Sequence, residues 1–141
     1  MNVKVAELMT KRVLTTEPHV SIDHVRGMLD KNKVGAIPVV DTEGHPVGIV
    51  SASDLVTHQK GGAPVSSVMT EKVVTVPEYD DVSIAARIMR NKKIHRVVVT
   101  RERKVVGIIS AFDLLRLVEN HRFVAKSAPT PTRKQAKRAA S

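Results

Sequence analysis

Two short segments place a hydroxyl and a carboxylate three positions apart, Ser51-Ala52-Ser53-Asp54 and Ser110-Ala111-Phe112-Asp113. Each follows an apolar run that opens on glycine, Gly48-Ile49-Val50 in one case and Gly107-Ile108-Ile109 in the other. A strand that ends in Ser-x-x-Asp hands over to a helix. The serine then sits at the N-cap and the acid near the third helical position, where it can accept from the serine's own backbone N–H. The same geometry serves a ligand. A helix N-terminus offers unpaired N–H groups and partial positive charge to a phosphate. A neighbouring carboxylate can accept from both hydroxyls of a ribose. Capping and ligand binding are compatible, and the segments alone do not separate them.

A second group carries charge of the complementary sign. Lys93-Ile94-His95-Arg96 stands where the earlier part of the chain has Lys33-Val34-Gly35-Ala36. Arg96 can grip phosphate oxygens through two parallel bonds, and His95 can add a donor. A solvated helix-to-strand turn is the plainer account of the same residues. Arg12 and Lys72 rank below them, because ordinary surface charge explains those two nearly as well. Other chemistry is excluded or unsupported. With no cysteine there is no disulfide, thiolate metal site or cysteine nucleophile. The six histidines are scattered, with no two at ligand spacing on one helix. No nucleophile–base–orienter set is evident, so an enzyme is not expected.

The elements that must position these groups occur twice. Val5-Ala6-Glu7-Leu8-Met9-Thr10 returns 60 positions later as Val65-Ser66-Ser67-Val68-Met69-Thr70. Val13-Leu14-Thr15 returns as Val73-Val74-Thr75 at the same offset, and Ile37-Pro38-Val39-Val40 as Val97-Val98-Val99-Thr100. Past Asp41–Pro46 the offset falls to 59, a deletion placed where a turn tolerates it. Each copy reads β-α-β-β-α. A β-branched stretch (13–16, 73–76) precedes a helix capped by Ser21 or Asp81. Ile22, Val25, Met28 and Leu29 form one apolar helix face, as Val82, Ala85, Ile88 and Met89 do in the second copy. Two apolar strands (36–40 and 47–50 in the first copy) and a last helix from Ser53 or Phe112 complete the unit. The expected organisation is an α/β fold of two pseudo-symmetric repeats, 1–60 and 61–126, packed around a shared cleft, with a flexible basic tail at 127–141.

The duplicated unit, the opening Val-x-x-x-Met-Thr and the closing Gly-Ile-x-Ser-x-x-Asp-Leu resemble a tandem pair of CBS domains, over residues 3–122 and in both motifs of both copies. The resemblance implies a regulatory module that binds AMP, ADP, ATP or S-adenosylmethionine in its central cleft. It implies ribose contacts from Asp54 and Asp113 and phosphate contacts from Ser51 and Ser110. The stretches around Thr15 and Thr75 would flank the adenine, and His95-Arg96 would be a phosphate-contacting pair. Because only the second copy has that pair, phosphate binding is expected to be uneven. The resemblance further implies disk-like homodimers that associate through helices, and a regulated target on another chain. Ligand-free interaction is the competing reading.

The net charge of +9 gives a third. Residues 121–141 hold six of the lysines and arginines and no acid, so the repeats themselves are nearly balanced. Nothing larger than alanine is apolar in 127–141, which predicts disorder. Such a tail can contact nucleic acid by counterion release, but it lacks aromatic residues for stacking. No run approaches the roughly 20 apolar residues of a membrane span, and the N-terminus lacks a signal-peptide stretch. A cytoplasmic protein is expected.

Overall fold

The computed structural model describes residues 3–56 and 60–120. The flexible basic tail expected at 127–141 lies outside the described residues, as does the continuation of the last helix through Phe123 and Val124 that the apolar residues there lead one to expect. The elements in chain order are α1 (Val5–Leu8), α2 (Ile22–Asn32), β1 (Ala36–Val40), β2 (Pro46–Ser51) and α3 (Ala52–Val56). A 3-10 turn at Val65–Ser67 leads to β3 (Thr75–Pro77), α4 (Val82–Lys92), β4 (Arg96–Arg101), β5 (Lys104–Ser110) and α5 (Ala111–Asn120).

The long helices start and stop for local reasons. Ser21 Oγ accepts from the His24 N–H at 3.2 Å, and the Asp81 carboxylate accepts from the Ser83 N–H at 2.9 Å. Both helices end on a lysine in the left-handed region, Lys33 at φ 53° and Lys93 at φ 55°. That turns the chain sharply into the following strand. Ile22, Val25 and Leu29 are buried on α2, as Val82, Ala85 and Met89 are on α4, the faces the 3.6-residue period predicts.

β1 and β2 pair antiparallel, as do β4 and β5, and β3 lies parallel to β4. The first copy has no counterpart to β3 beyond one bridge, Thr16 to Val39. The predicted strand over 13–16 is therefore reduced to one residue's ladder, and its twin begins only at Thr75. The cause of the difference between copies is a proline. In the second copy the Glu78 N–H extends the ladder to the Thr100 carbonyl at 2.9 Å. Pro18 holds the equivalent position and has no N–H to donate.

The opening segments are exchanged between the repeats. Val5, Leu8 and Met9 lie in the core formed by Val76, Val82, Met89, Val97 and Ile109 of the second copy. Val65 is buried in the first copy's core with Ile22, Val25, Ile37 and Val50, and Val68 and Met69 pack against it. Backbone bonds fix the exchange: the Thr10 N–H donates to the Ile108 carbonyl at 2.8 Å, and the Thr70 N–H to the Ile49 carbonyl at 2.9 Å. Glycines make room for it. A Cβ on Gly48 would overlap the Met69 side chain, and one on Gly107 would overlap Met9. The Met-Thr motif of one copy thus packs on the Gly-Ile motif of the other. Neither repeat closes its core alone.

Candidate functional site

Ser51 ends β2 and Asp54 lies in the first turn of α3. The Asp54 carboxylate accepts from the Ser51 N–H at 2.8 Å and from the Ser51 hydroxyl at 2.9 Å. In the second copy Asp113 accepts from the Ser110 N–H at 2.8 Å, while Ser110 Oγ accepts from the Asp113 N–H at 3.1 Å. Ser110 and Asp113 therefore form the reciprocal capping pair. At Ser51 the hydroxyl points its proton to the acid instead. All four residues are half-buried, between core and solvent.

Across from Ser51 and Asp54 the exchanged architecture brings in the second copy. A cavity of about 330 Å³ is floored by Ala36, Ile49, Val74, Ile94 and Val98. Lys72, Lys93, His95 and Arg96 also line it, so four basic side chains share a wall with one carboxylate. The volume falls at the lower end of ligand pockets, about 300–1,000 Å³. The site is composite: the acid comes from one repeat and the basic pair from the other. Two chain constraints aim the basic side. Lys93 sits at the left-handed end of α4, and the His95 carbonyl accepts from the Ala111 N–H at 2.8 Å, tying the turn to the start of α5.

The twin cleft differs because of one position. Ala36 pairs with Ser51 in β1–β2, and Arg96 pairs with Ser110 in β4–β5. A methyl leaves the first cleft open. The Arg96 guanidinium instead lies against Gly35, where any Cβ would collide with it. Beside the start of α5, His95, Arg96, Ser110, Ala111, Phe112 and Leu115 line a separate depression of about 400 Å³, and Asp113 is not among its walls. Neither threonine lines the Asp54 cavity. Thr75 faces a depression with His45, Tyr79 and Arg101, and Thr15 one with Glu17, His24 and Asp41. From the stretch around Thr75, Val74 does stand in the cavity wall, with Val73 beside it. Lys72, ranked low on sequence, joins the wall because it follows the exchanged segment, and Lys93 joins it from the end of α4. The signal for that was the pairing of each methionine with a glycine 98 positions after Met9 and 21 before Met69.

The chain matches the CBS domain family over residues 5–61 and 65–120. It belongs to that family. The CBS domain pair of protein MJ0100, solved with 5′-methylthioadenosine and S-adenosyl-L-methionine, superposes with a TM-score of 0.77 at 28% identity, over 85% of this chain and 98% of that one. CBSX2 in complex with AMP superposes at 0.75 with 26% identity, over 84% and 97%. Among curated relatives, protein MJ1404 of Methanocaldococcus jannaschii is 29% identical over 133 residues. That match covers 82% of this CBS pair and 32% of the relative, so the chain spans about a third of it. Among the described residues no group of His, Asp and Glu is placed to hold a metal ion. No described helix is long and apolar enough to cross a membrane.

Proposed function

We propose that this CBS pair is a non-catalytic regulatory module that binds an adenine nucleotide in the composite cavity, acts as a homodimer, and signals to a separate protein. One observation carries the reading: Asp54 of the first repeat and Lys72, Lys93, His95 and Arg96 of the second share an apolar-floored cavity. The apolar floor suits the adenine, and the carboxylate suits the ribose hydroxyls. Ser51 and the cations suit the phosphates. Solved relatives bound to AMP and to S-adenosylmethionine support an adenosine ligand.

The charge balance chooses within that class. Four basic groups around one acid favour a phosphate-bearing nucleotide and disfavour the sulfonium and ammonium of S-adenosylmethionine. Without a ligand the basic groups repel one another; a phosphate between them removes that repulsion. Because the walls come from both repeats, the ligand binds best when the repeats close on it. That is the differential affinity a regulatory shift requires. At the second motif, reciprocal capping and the Arg96 side chain favour a structural role.

Calorimetric titration with AMP, ADP, ATP, S-adenosylmethionine and NAD tests the proposal. The expected order is ATP and ADP above AMP, with S-adenosylmethionine weakest. Failure of all five to bind would leave ligand-free interaction as the better account.

A further inference from the structure

The two strand hairpins meet near their turns. The Gly44 carbonyl in the β1–β2 turn accepts from the Val105 N–H of β5 at 3.0 Å. A depression of about 710 Å³ lies at this junction, more than twice the volume of the composite cavity and sharing none of its walls. Tyr79, Arg101 and Arg103 line it from the second repeat, and His45 and Pro46 from the first. Tyr79 is the chain's one tyrosine, and it stays 71% exposed. An aromatic ring left in water beside two guanidinium groups offers a flat base a platform and its phosphate a counter-charge.

The two arginines are held differently. Arg101 Nη2 donates to Glu78 Oε1 at 3.0 Å, and Nε donates to Glu78 Oε2. That grip fixes the guanidinium, yet Nη1 makes no hydrogen bond among the described residues and the side chain is 64% exposed. Arg103 has no ion pair among the described residues. Its backbone is left-handed at φ 70°, next to Glu102 at φ 50°. A hairpin turn of that shape favours Asn-Gly, and the β1–β2 turn does use a glycine, Gly44 at φ 87°. An arginine kept where glycine fits better, and left unpaired by the chain around it, points to a use outside the chain. Glu102 is the one acid in the wall, and Glu78 already neutralises Arg101, so the depression itself carries little net charge. Long-range attraction for an anion then falls to the whole chain, at +9, and the depression supplies stacking and local phosphate contacts.

We propose that this depression takes a nucleobase with its phosphate, presented by a single-stranded nucleic acid. Tyr79 stacks on the base, while Arg103 and the free edge of Arg101 hold the phosphate. Every base has a flat face, so binding is tolerant of sequence. The room favours a strand over a free nucleotide, being more than twice that of the cavity proposed above for a single nucleotide. The site is independent of that cavity.

Fluorescence anisotropy of the full chain with a fluorescein-labelled oligothymidylate of about 15 nucleotides tests the proposal. Tyr79→Ala is expected to weaken binding by about 5- to 150-fold, and Tyr79→Phe, which keeps the ring, by less than about twofold. Arg103→Gly should lower the slope of log affinity against log salt by about 0.7. Glycine suits φ 70°, so thermal melts should show that variant at least as stable as the parent, which separates lost binding from lost folding. Glu102→Gln should tighten binding, and Asp54→Ala should leave it unchanged. Deleting residues 127–141 should lower the salt slope further while preserving the ratio between Tyr79→Ala and its parent. Equal affinities for Tyr79→Ala and the parent would overturn the site, leaving binding to general charge. Competition by AMP as effective as that of the unlabelled strand would overturn the strand in favour of a free nucleotide. Equally effective competition by polyglutamate would overturn it in favour of an acidic protein.

Discussion

Replacing Asp54 by alanine separates the two roles that its carboxylate can play. In the structure that carboxylate caps the Ser51 N–H at 2.8 Å, so its loss costs about 1 kcal/mol of stability whether or not a ligand binds. Asp113→Ala removes the matching cap at 2.8 Å and should cost a similar amount. Ligand affinity is where the two variants part. A hydrogen bond to a charged group contributes about 1.5–3 kcal/mol net. A ribose offers two hydroxyls, but Asp54 is only half-buried and keeps its bonds to Ser51, so the two bonds together are worth about what one such bond contributes. Asp54→Ala should therefore weaken ATP binding by about 1.5–3 kcal/mol, roughly 10- to 150-fold. Asp113→Ala should change it by less than about twofold, since the four basic side chains line the cavity of the other acid. The assay is calorimetric titration at a temperature where both variants are folded, with thermal melts to confirm equal destabilisation. Equal affinities for Asp54→Ala and the parent, or a larger loss in Asp113→Ala, would refute the composite site.

The exchange of opening segments makes the two motif glycines unequal. A Cβ on Gly107 meets the Thr10 backbone carbonyl at 2.9 Å as well as Met9, whereas on Gly48 it meets only the flexible Met69 side chain. Gly107→Ala should cost about 1–3 kcal/mol in urea unfolding and Gly48→Ala distinctly less. Lys33 and Lys93 both pay for the left-handed region, so glycine at either should stabilise by about 0.5–1 kcal/mol. Only Lys93→Gly should also weaken ATP binding, because only Lys93 lines the cavity. In acid, three carboxylates titrate below their ordinary values. Hydrogen bonds from Ser83 depress Asp81, the Arg101 side chain depresses Glu78, and backbone N–H groups led by that of His45 depress Asp41. Each contributes stability that is complete above its ordinary value, 3.8 for Asp and 4.5 for Glu, and is lost as pH falls through the lower folded value. Melting temperature should hold steady from neutral pH down to that range and then fall, more shallowly in Glu78→Gln.

The repeat, the caps at Ser21 and Asp81, and the strands at 36–40 and 47–50 were legible because each rests on local chemistry. A cap needs one side chain within a turn, and a buried strand needs a run of apolar residues. β3's missing twin was less legible, since its absence follows from one N–H that Pro18 lacks. The exchange of Val5–Met9 and Val65–Met69 was not legible from periodicity, which reports which face is apolar but not which core receives it. The same crossing shapes the site. Read along the chain, His95 and Arg96 belong with Ser110 and Asp113 of their own copy. In the fold they line the cavity that holds Ser51 and Asp54, and also touch the depression beside Ser110. Thr15 and Thr75, expected beside the adenine from the family resemblance, lie in other depressions.

Sequence asymmetry becomes structural asymmetry through this crossing. Had each repeat built its site alone, Arg96 would have strengthened one site and left the other unchanged. Because β4 borders both clefts, one residue acts on both in opposite senses. It supplies a cation to the cavity of Asp54 and lays its guanidinium over Gly35 beside the twin. Ala36, its counterpart, does neither. A single arginine-for-alanine difference between otherwise equivalent strands can therefore turn a twofold scaffold into a module with one open composite cavity. Any ligand held there bridges the two repeats that the exchanged segments already interlock.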